Sequence, residues 1–457
     1  MQADYVIVGA GSAGCVLANR LTEDPATRVV LIEAGGRDWN PLIHIPAGFM
    51  KLLDHPNLTW GFKAEADPGT NGRAIPYPRG RVLGGSSSIN GLIYIRGQPE
   101  DFDHWAQLGN RGWDWDDVLP YFKKAENWQG EASEPHGSGG FLTTSPMSER
   151  PAACRAIITA AQELGLEYRA DVNNLPPGAG DSIGWCQQTR GGRRRASAAR
   201  TYLKPASKRP NLQVVTGALV HRVVFDGTRA TGVEFSRNGG QGSSIERADA
   251  ASEVILAAGA VGSPHLLQLS GIGDPEVLTK AGIAVRHALP GVGKNFQDHY
   301  IARMSCEVQD IETLNERGRA VSFAGEVLRY LAEDTDRRAM VGGLKFLHRL
   351  FAAPSLAKYV VAEKMPGPRV QSDDELLDYA RQNGSTVYHA SCSCMTGSHA
   401  MSVVNSEHKV HGLDALRVID ASIMPAVSST NTNAPTIMIA EKGAAMIKAD
   451  TRQRLVA

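Results

Sequence analysis

The chain has 457 residues, 42% of them hydrophobic and 21% charged, an ordinary globular composition with room for two domains. Its 48 Lys and Arg balance its 48 Asp and Glu, so no net field draws it to nucleic acid or an anionic membrane. Six cysteines are too sparse for a disulfide framework, and no uncharged apolar stretch reaches the length of a membrane span.

The first predicted element is a buried parallel strand over the apolar run Tyr5–Val8. Gly9, Gly11 and Gly14 follow as G-x-G-x-x-G, and Cys15–Leu21 carries a helical pattern. Gly9 permits a tight turn, Gly11 lets backbone approach a pyrophosphate, and Gly14 lets the helix pack on the strand. The helix N-terminus then points its N–H groups at the phosphates. A second strand, Val29–Ile32, ends at Glu33, 19 residues after Gly14, where a carboxylate would accept from ribose hydroxyls. Strand, glycines, helix, strand and acid in register predict dinucleotide binding. The motif begins too early for a signal peptide, and the expectation is a cytoplasmic protein with reduced thiols.

Further along, Arg79–Gly97 combines a glycine pair, a hydroxyl run and a strand-like stretch. Small residues at Gly84–Ser88 let backbone lie flat against a planar or phosphate-bearing ligand. Asn127–Gly140 reads as a loop, and the basic run Gly191–Arg195 as a solvated turn before Ala196–Leu203. Asn211–Phe235 is hairpin-rich β structure with a turn at Asp226-Gly227, and Arg237–Ser244 is a polar hairpin tip. Glu253–Ala258 is another buried strand, leading through Gly259–Pro264 into a helix that ends at Ser270. Cys392-x-Cys394 supplies only two thiols, fewer than a metal site needs. No metal is expected.

RGRVLGGSSSING and GAVGSPHLLQLSGIG resemble the two signature segments of the glucose–methanol–choline (GMC) oxidoreductases. The opening motif, LPGVGKNFQDH at Leu289–His299, and LRVIDASIMP with NTNAPTIMIAEKGA near the C-terminus are similar to that family in the same order. The nearest subgroup is the choline-dehydrogenase-like alcohol dehydrogenases. This resemblance implies an FAD-dependent enzyme that oxidises a small-molecule alcohol to an aldehyde or ketone. The expected fold class is α/β. A discontinuous Rossmann-like FAD-binding domain would use residues 1–155, 190–300 and 412–457, with a reduced α+β substrate-binding domain from 156–189 and 301–411.

By resemblance His389 is the base for the alcohol proton, a task that suits an imidazole titrating near the working pH. The second family position is His or Asn, here Asn431, whose amide would steady the alkoxide. On their own residues the two are less distinctive: a lone histidine is more often core or surface, and asparagine suits a plain turn. Pro435 fits the first turn of a helix reaching about Met446, with its N-terminus toward the flavin. For FAD the resemblance carries over Gly9, Gly11, Ser12, Ala13, Gly14, Glu33 and Ala34, then Arg81, Gly84, Gly85, Ser86, Asn90 and Gly91. It adds Val220 at the adenine, Asp420 and Ala421 at the pyrophosphate, and Ala258, Gly259, Asn431, Asn433 and Thr436. Relatives that tether FAD use a histidine at the position of Ile89, so the flavin is expected to be non-covalent.

Two segments depart from the family. Its usual H-P-V-G-T-C-R-M-G appears here as His389-Ala-Ser-Cys-Ser-Cys-Met-Thr-Gly397. Relatives also place roughly 80 more residues between His299 and His389, about half a small domain. The junction is expected near Tyr330-Leu331, with most of the antiparallel sheet over the flavin missing. A more open flavin face would weaken electrostatic catalysis, and a homo-oligomer could cover the gap. The competing readings are a flavin-binding protein with little turnover, a fatty-acid photodecarboxylase on the same fold, and an NAD(P) enzyme. Oxygen, a quinone and a carrier protein all remain open as electron acceptor.

Overall fold

The computed structural model describes residues 1–237, 244–311, 313, 331 and 333–456. Strand β1 (Gln2–Val8), helix α1 (Ser12–Leu21) and strand β2 (Val29–Glu33) form the expected unit, with β2 parallel to β1. Strands covered on both faces must be apolar throughout, and Tyr5–Val8 and Val29–Ile32 are buried residue by residue. β1 starts earlier than its apolar run because Gln2 and Ala3 pair with Asp249 and Ala250.

Four more strands follow: β3 (Leu212–Thr216), β4 (Ala218–Asp226), β5 (Arg229–Arg237) and β6 (Glu246–Leu256); β7 (Leu416–Val418) completes a seven-stranded sheet. Its parallel core has the order β3-β2-β1-β6-β7. β6 is long enough to hold two partners on one edge. Its first half pairs antiparallel with β5, and Val254–Leu256 pairs in parallel with β7. β4 and β5 are the expected hairpin, turning at Gly227 with φ +55°. β3 is not part of a hairpin: it leaves β4 and lies beside β2, extending the nucleotide sheet.

The larger helices after α1 are α2 (Ala152–Glu163), α3 (Gly259–Leu269), α4 (Asp334–Ala352), α5 (Asp373–Asn383) and α6 (Asn433–Val456). α6 returns the C-terminal segment to α1. Arg20 Nε and Nη2 donate to Glu441 Oε2 and Oε1, each at 2.8 Å, and the Tyr202 hydroxyl donates to Oε1 at 2.9 Å. Two buried charges are tolerated only with such complete pairing. α6 outruns the predicted end at Met446 because Asp450 anchors its last turns on Lys409 and Arg417.

Over the sheet's ligand side, Val341 and Leu344 of α4 pack on Leu376 and Ala380 of α5, with Ile75 beneath. Leu350 at the far end of α4 meets Ala160 and Ala161 of α2. Among the described residues the strands of this region form only two-stranded pairs, Ser305–Val308 with Val360–Met365 and Tyr300–Ile301 with Ser385–Thr386. The expected junction at Tyr330 and the tip inside Arg237–Ser244 lie outside the described residues. No helix among the described residues is long and apolar enough to cross a membrane.

Candidate active site

A cavity of about 480 Å³ opens where β1, β2 and β6 end, at the carboxyl edge where open α/β sheets bind ligands. Its floor is the glycine turn. Gly9 has φ +97°, and a Cβ on Gly14 would stand 1.8 Å from the Gly9 carbonyl oxygen. A larger residue at Gly14 would force α1 off the end of β1, and one at Gly9 would strike the main chain of Ala257 at the end of β6. A Cβ on Gly85 would sit 2.7 Å from Gly11 Cα, so the two glycine loops lie back to back. No side chain caps the N-terminus of α1. Ser12 Oγ instead donates to Asn433 Oδ1 at 2.8 Å, which brings the N-termini of α1 and α6 to the same cavity. Two helix N-termini and a cradle without side chains suit the pyrophosphate of FAD.

Glu33 closes the adenosine end. Its carboxylate accepts from Ala10 N at 2.9 Å and Gly35 N at 2.8 Å. Burial pushes its pKa up to about 6 against those two amides and Arg81. Ser12, Ala13, Ala34, Gly85, Ser86, Asn90, Gly91, Val220, Ala258, Gly259, Ala421, Asn433 and Thr436 all line the cavity, as do Gly9, Gly11, His389 and Asn431. Asp420 lines it too, but its carboxylate accepts from Gly259 N, Ser263 Oγ and Ser422 N. Its charge is spent on joining α3 to the turn after β7, which leaves only main chain to meet a phosphate.

Three expectations are corrected besides Gly14, which packs on the Gly9 carbonyl and does not itself line the cavity. Arg81 does not line the cavity itself but stands behind it, its guanidinium 5.0 Å over the Trp60 ring and close enough to Glu33 to act on its charge. Gly84 also faces away: its N–H donates to Ala10 O at 2.7 Å, and a Cβ there would strike Ser88 Oγ. The third concerns the basic run. Arg193 and Arg194 are exposed, but Arg195 is buried, with Nε donating to Ile43 O at 2.8 Å and Nη1 to Asn90 O and Oδ1 at 2.6 Å. A guanidinium fork can join two segments in this way, the one at Ile43 and the turn that ends at Asn90. Burial lowers its pKa to about 10.

His389 and Asn431 meet at the other end of the cavity, with Asn431 Nδ2 2.8 Å from His389 Nε2. An antiparallel register sets this up. Tyr300 pairs with Thr386 and Gln297 bridges to Ser391, so two residues on one strand face four on the other. The excess bulges at Tyr388, which has φ +69°, and bulges re-aim side chains in this way. Asp298 clamps the bulge: Oδ1 accepts from His389 N at 2.7 Å and from His299 N at 2.9 Å, and Oδ2 bonds the Thr386 hydroxyl. The loop before Asn431 is tied down by Val427 N to Gln297 Oε1 at 2.9 Å and Ser429 N to Asp101 Oδ2 at 3.0 Å. Burial, with His299 and Arg79 nearby, brings the His389 pKa down to about 3, so the imidazole is neutral at ordinary pH.

The sequence pattern did not single out several residues around this pair. His299 Nδ1 lies 2.7 Å from His389 Nδ1, and Arg79 Nη2 donates to Tyr388 O at 2.7 Å. Phe49, Trp60, Phe62 and Tyr388 add aromatic surface to the cavity. Arg79 and His299 stand within motifs that were read, RGRVLGG and NFQDH, so their neighbourhood was the available signal. The pair Cys392 and Cys394 is structural: their N–H groups donate to Ala421 O at 3.1 Å and Ser422 O at 2.8 Å. Burial pushes the Cys392 thiol up to about 12. Among the described residues no cluster could hold a metal ion.

The GMC oxidoreductase family model for the N-terminal part matches residues 3–301, and that for the C-terminal part matches 325–440. The chain is 35% identical to an alcohol dehydrogenase [acceptor] of Pseudomonas putida, over 97% of this chain and 95% of that protein. It is 37% identical to the mitochondrial choline dehydrogenase of Homo sapiens, over 97% of this chain and 89% of that protein. The crystal structure of pyridoxine 4-oxidase from Mesorbium loti superposes with a TM-score of 0.87 at 30% identity, over 98% of this chain and 99% of that one. The alignment with the Pseudomonas putida protein runs over 530 positions, more than the 457 residues of this chain. That relative therefore carries internal residues with no counterpart here.

Proposed function

Because the chain belongs to the GMC oxidoreductase family, we propose that it oxidises an alcohol CH–OH group to an aldehyde or ketone with His389 as base and Asn431 as the group that holds the oxygen. The observation that carries this assignment is the 2.8 Å approach of Asn431 Nδ2 to His389 Nε2 on the cavity wall. When bound, FAD supplies the hydride acceptor, N5 of its isoalloxazine. The residues of the glycine turn, Glu33 and the Gly85–Gly91 segment hold it without a covalent bond, since buried Ile89 stands where a nucleophile would be needed. His389 is kept neutral by burial and aimed by Asp298 through its main chain, so it takes the hydroxyl proton on Nε2. The Asn431 amide then donates to the oxygen as negative charge develops there.

The substrate proposed is a neutral alcohol with an apolar or aromatic body. Phe49, Trp60, Phe62 and Tyr388 offer that surface, while the cavity's carboxylates among the described residues, Glu33 and Asp420, are both engaged away from His389. Among the described residues, neither of those carboxylates is placed to offer a quaternary ammonium group a counter-charge beside His389. A cytoplasmic location and self-association across the shortened roof belong to the same proposal.

Anaerobic mixing with benzyl alcohol should bleach the flavin, and choline at equal concentration should do so at least ~10-fold more slowly; His389→Ala should slow bleaching by ~10² or more. Equal rates in wild type and variant would remove His389 from the role. Re-oxidation on admitting air would mark an oxidase, and persistence of the reduced spectrum a dehydrogenase. The internal residues present in relatives and absent here favour one second reading, a flavin-binding protein with little turnover. In that case FAD is retained and no alcohol bleaches it.

A further inference from the structure

His299 meets His389 ring to ring. The two Nδ1 atoms are 2.7 Å apart, and the rings are near perpendicular at 88°. A hydrogen bond between two such nitrogens needs one proton, carried by one ring. The other side of His389 decides which. Asn431 approaches Nε2 with Nδ2, an atom that can only donate. Nε2 must therefore present its lone pair, and the single proton of neutral His389 lies on Nδ1. That proton is donated to His299 Nδ1, which leaves the His299 proton on Nε2; the Ser428 main chain bonds the same ring. Burial lowers the pKa of His299, which favours the neutral ring that an acceptor must be.

We propose that His299 is the positioning residue that, together with Asn431, sets the tautomer of the base: by accepting from Nδ1 of His389 it keeps Nε2 unprotonated and able to take the alcohol proton. This rests on the reading of His389 as the base. In the step itself the substrate O–H bond breaks, its proton bonds to Nε2, and the electron pair stays on oxygen as hydride leaves the adjoining carbon. His389 then carries a positive charge, and its Nδ1–H bond to His299 becomes a charge-assisted one. Without His299 the Nδ1 proton loses its acceptor, and only the Asn431 amide opposes its transfer to Nε2, where it would block the lone pair. The other charged groups around the pair are Asp298 and Asp101 on the His299 side and Arg79 on the His389 side. The position facing Nδ1 of His389 is held by His299.

The test is a long-range ¹H–¹⁵N spectrum of the FAD-loaded enzyme with labelled histidine, His389 being assigned by its loss in His389→Asn. Wild type should show His389 protonated on Nδ1. His299→Leu should shift the proton to Nε2, and His299→Asn, whose Oδ1 can accept in place of Nδ1, should restore it. Flavin reduction by an alcohol should fall ~10²-fold in His299→Leu and stay within ~10-fold of wild type in His299→Asn, at unchanged FAD content and melting temperature. A wild-type His389 protonated on Nε2 overturns the proposal even if His299→Leu does not fold. So does a folded His299→Leu enzyme that keeps the Nδ1 proton. If no alcohol reduces even the wild type, the reading of His389 as base falls, while the spectrum still decides the part played by His299.

Discussion

Asn431 Nδ2 and His389 Nε2 come within 2.8 Å although 42 residues separate them in the chain. The amide reaches the imidazole from a loop tied to Gln297 and Asp101, and the imidazole from a bulge clamped by Asp298. Neither side chain moves freely, so the pair is organised before an alcohol arrives. That is the condition for electrostatic stabilisation without reorganisation at the moment of reaction.

Asn431→Ala removes a donor and leaves the main chain in place. Its flavin reduction rate in anaerobic stopped flow should drop by ~10²-fold, about 3 kcal/mol of barrier. FAD content should not change, because the cradle for the pyrophosphate is built elsewhere. Asn431→His keeps a donor and should retain more of the rate than Ala. Identical rates in all three proteins would dissociate the amide from the chemistry.

Arg195 is a stability prediction. Arg195→Met leaves the carbonyls of Ile43, Ser87 and Asn90 without their donor in a buried place. Each orphaned group costs about 1–3 kcal/mol, so urea unfolding should show a loss of several kcal/mol, with weaker retention of FAD on gel filtration. Arg195→Lys should recover only part of it, since one ammonium cannot reproduce the fork. Unchanged midpoints would mean that the two segments hold themselves.

Acid should weaken the fold through His408. It is fully buried beside Trp113, with both ring nitrogens unpaired, and burial together with Arg417 and Lys442 holds its pKa down to about 3. Between its ordinary value of 6.5 and about 3, only the unfolded chain takes up the proton. Stability is therefore lost as pH falls below 6.5, by up to about 2 kcal/mol at pH 5 from this residue. His408→Phe should show a smaller drop in melting temperature between pH 7 and pH 5 than wild type. Parallel acid curves would refute the assignment.

The nucleotide end of the site was legible in the chain. Gly9, Gly11, Gly14 and Glu33 belong to one strand–helix–strand unit, in which distance along the chain translates directly into distance in space. Arg195 was misread because a run of three arginines looks solvated until the carbonyls of Ile43 and Asn90 are brought beside it. Arg81 and Gly84 failed for the opposite reason: their motif reaches the cavity, but contacts made only in the folded chain turn Arg81 onto Trp60 and set Gly84 against Ser88. Gly85, Ser86 and Asn90 line it, whereas Gly84 backs onto Ser88 and Ala199.

What the amino-acid order settled by itself is the scaffold: a parallel sheet, a glycine turn under a helix N-terminus, and an acid at the end of the second strand. Those features need only local spacing. The meeting of His299 with His389 was decided by tertiary structure alone, because it depends on how Gln297–Ile301 registers against Ser385–Ser391. One strand carries two residues more than the other across that register, and the bulge at Tyr388 absorbs them. A pairing between distant strands leaves no period in the chain from which it could be read.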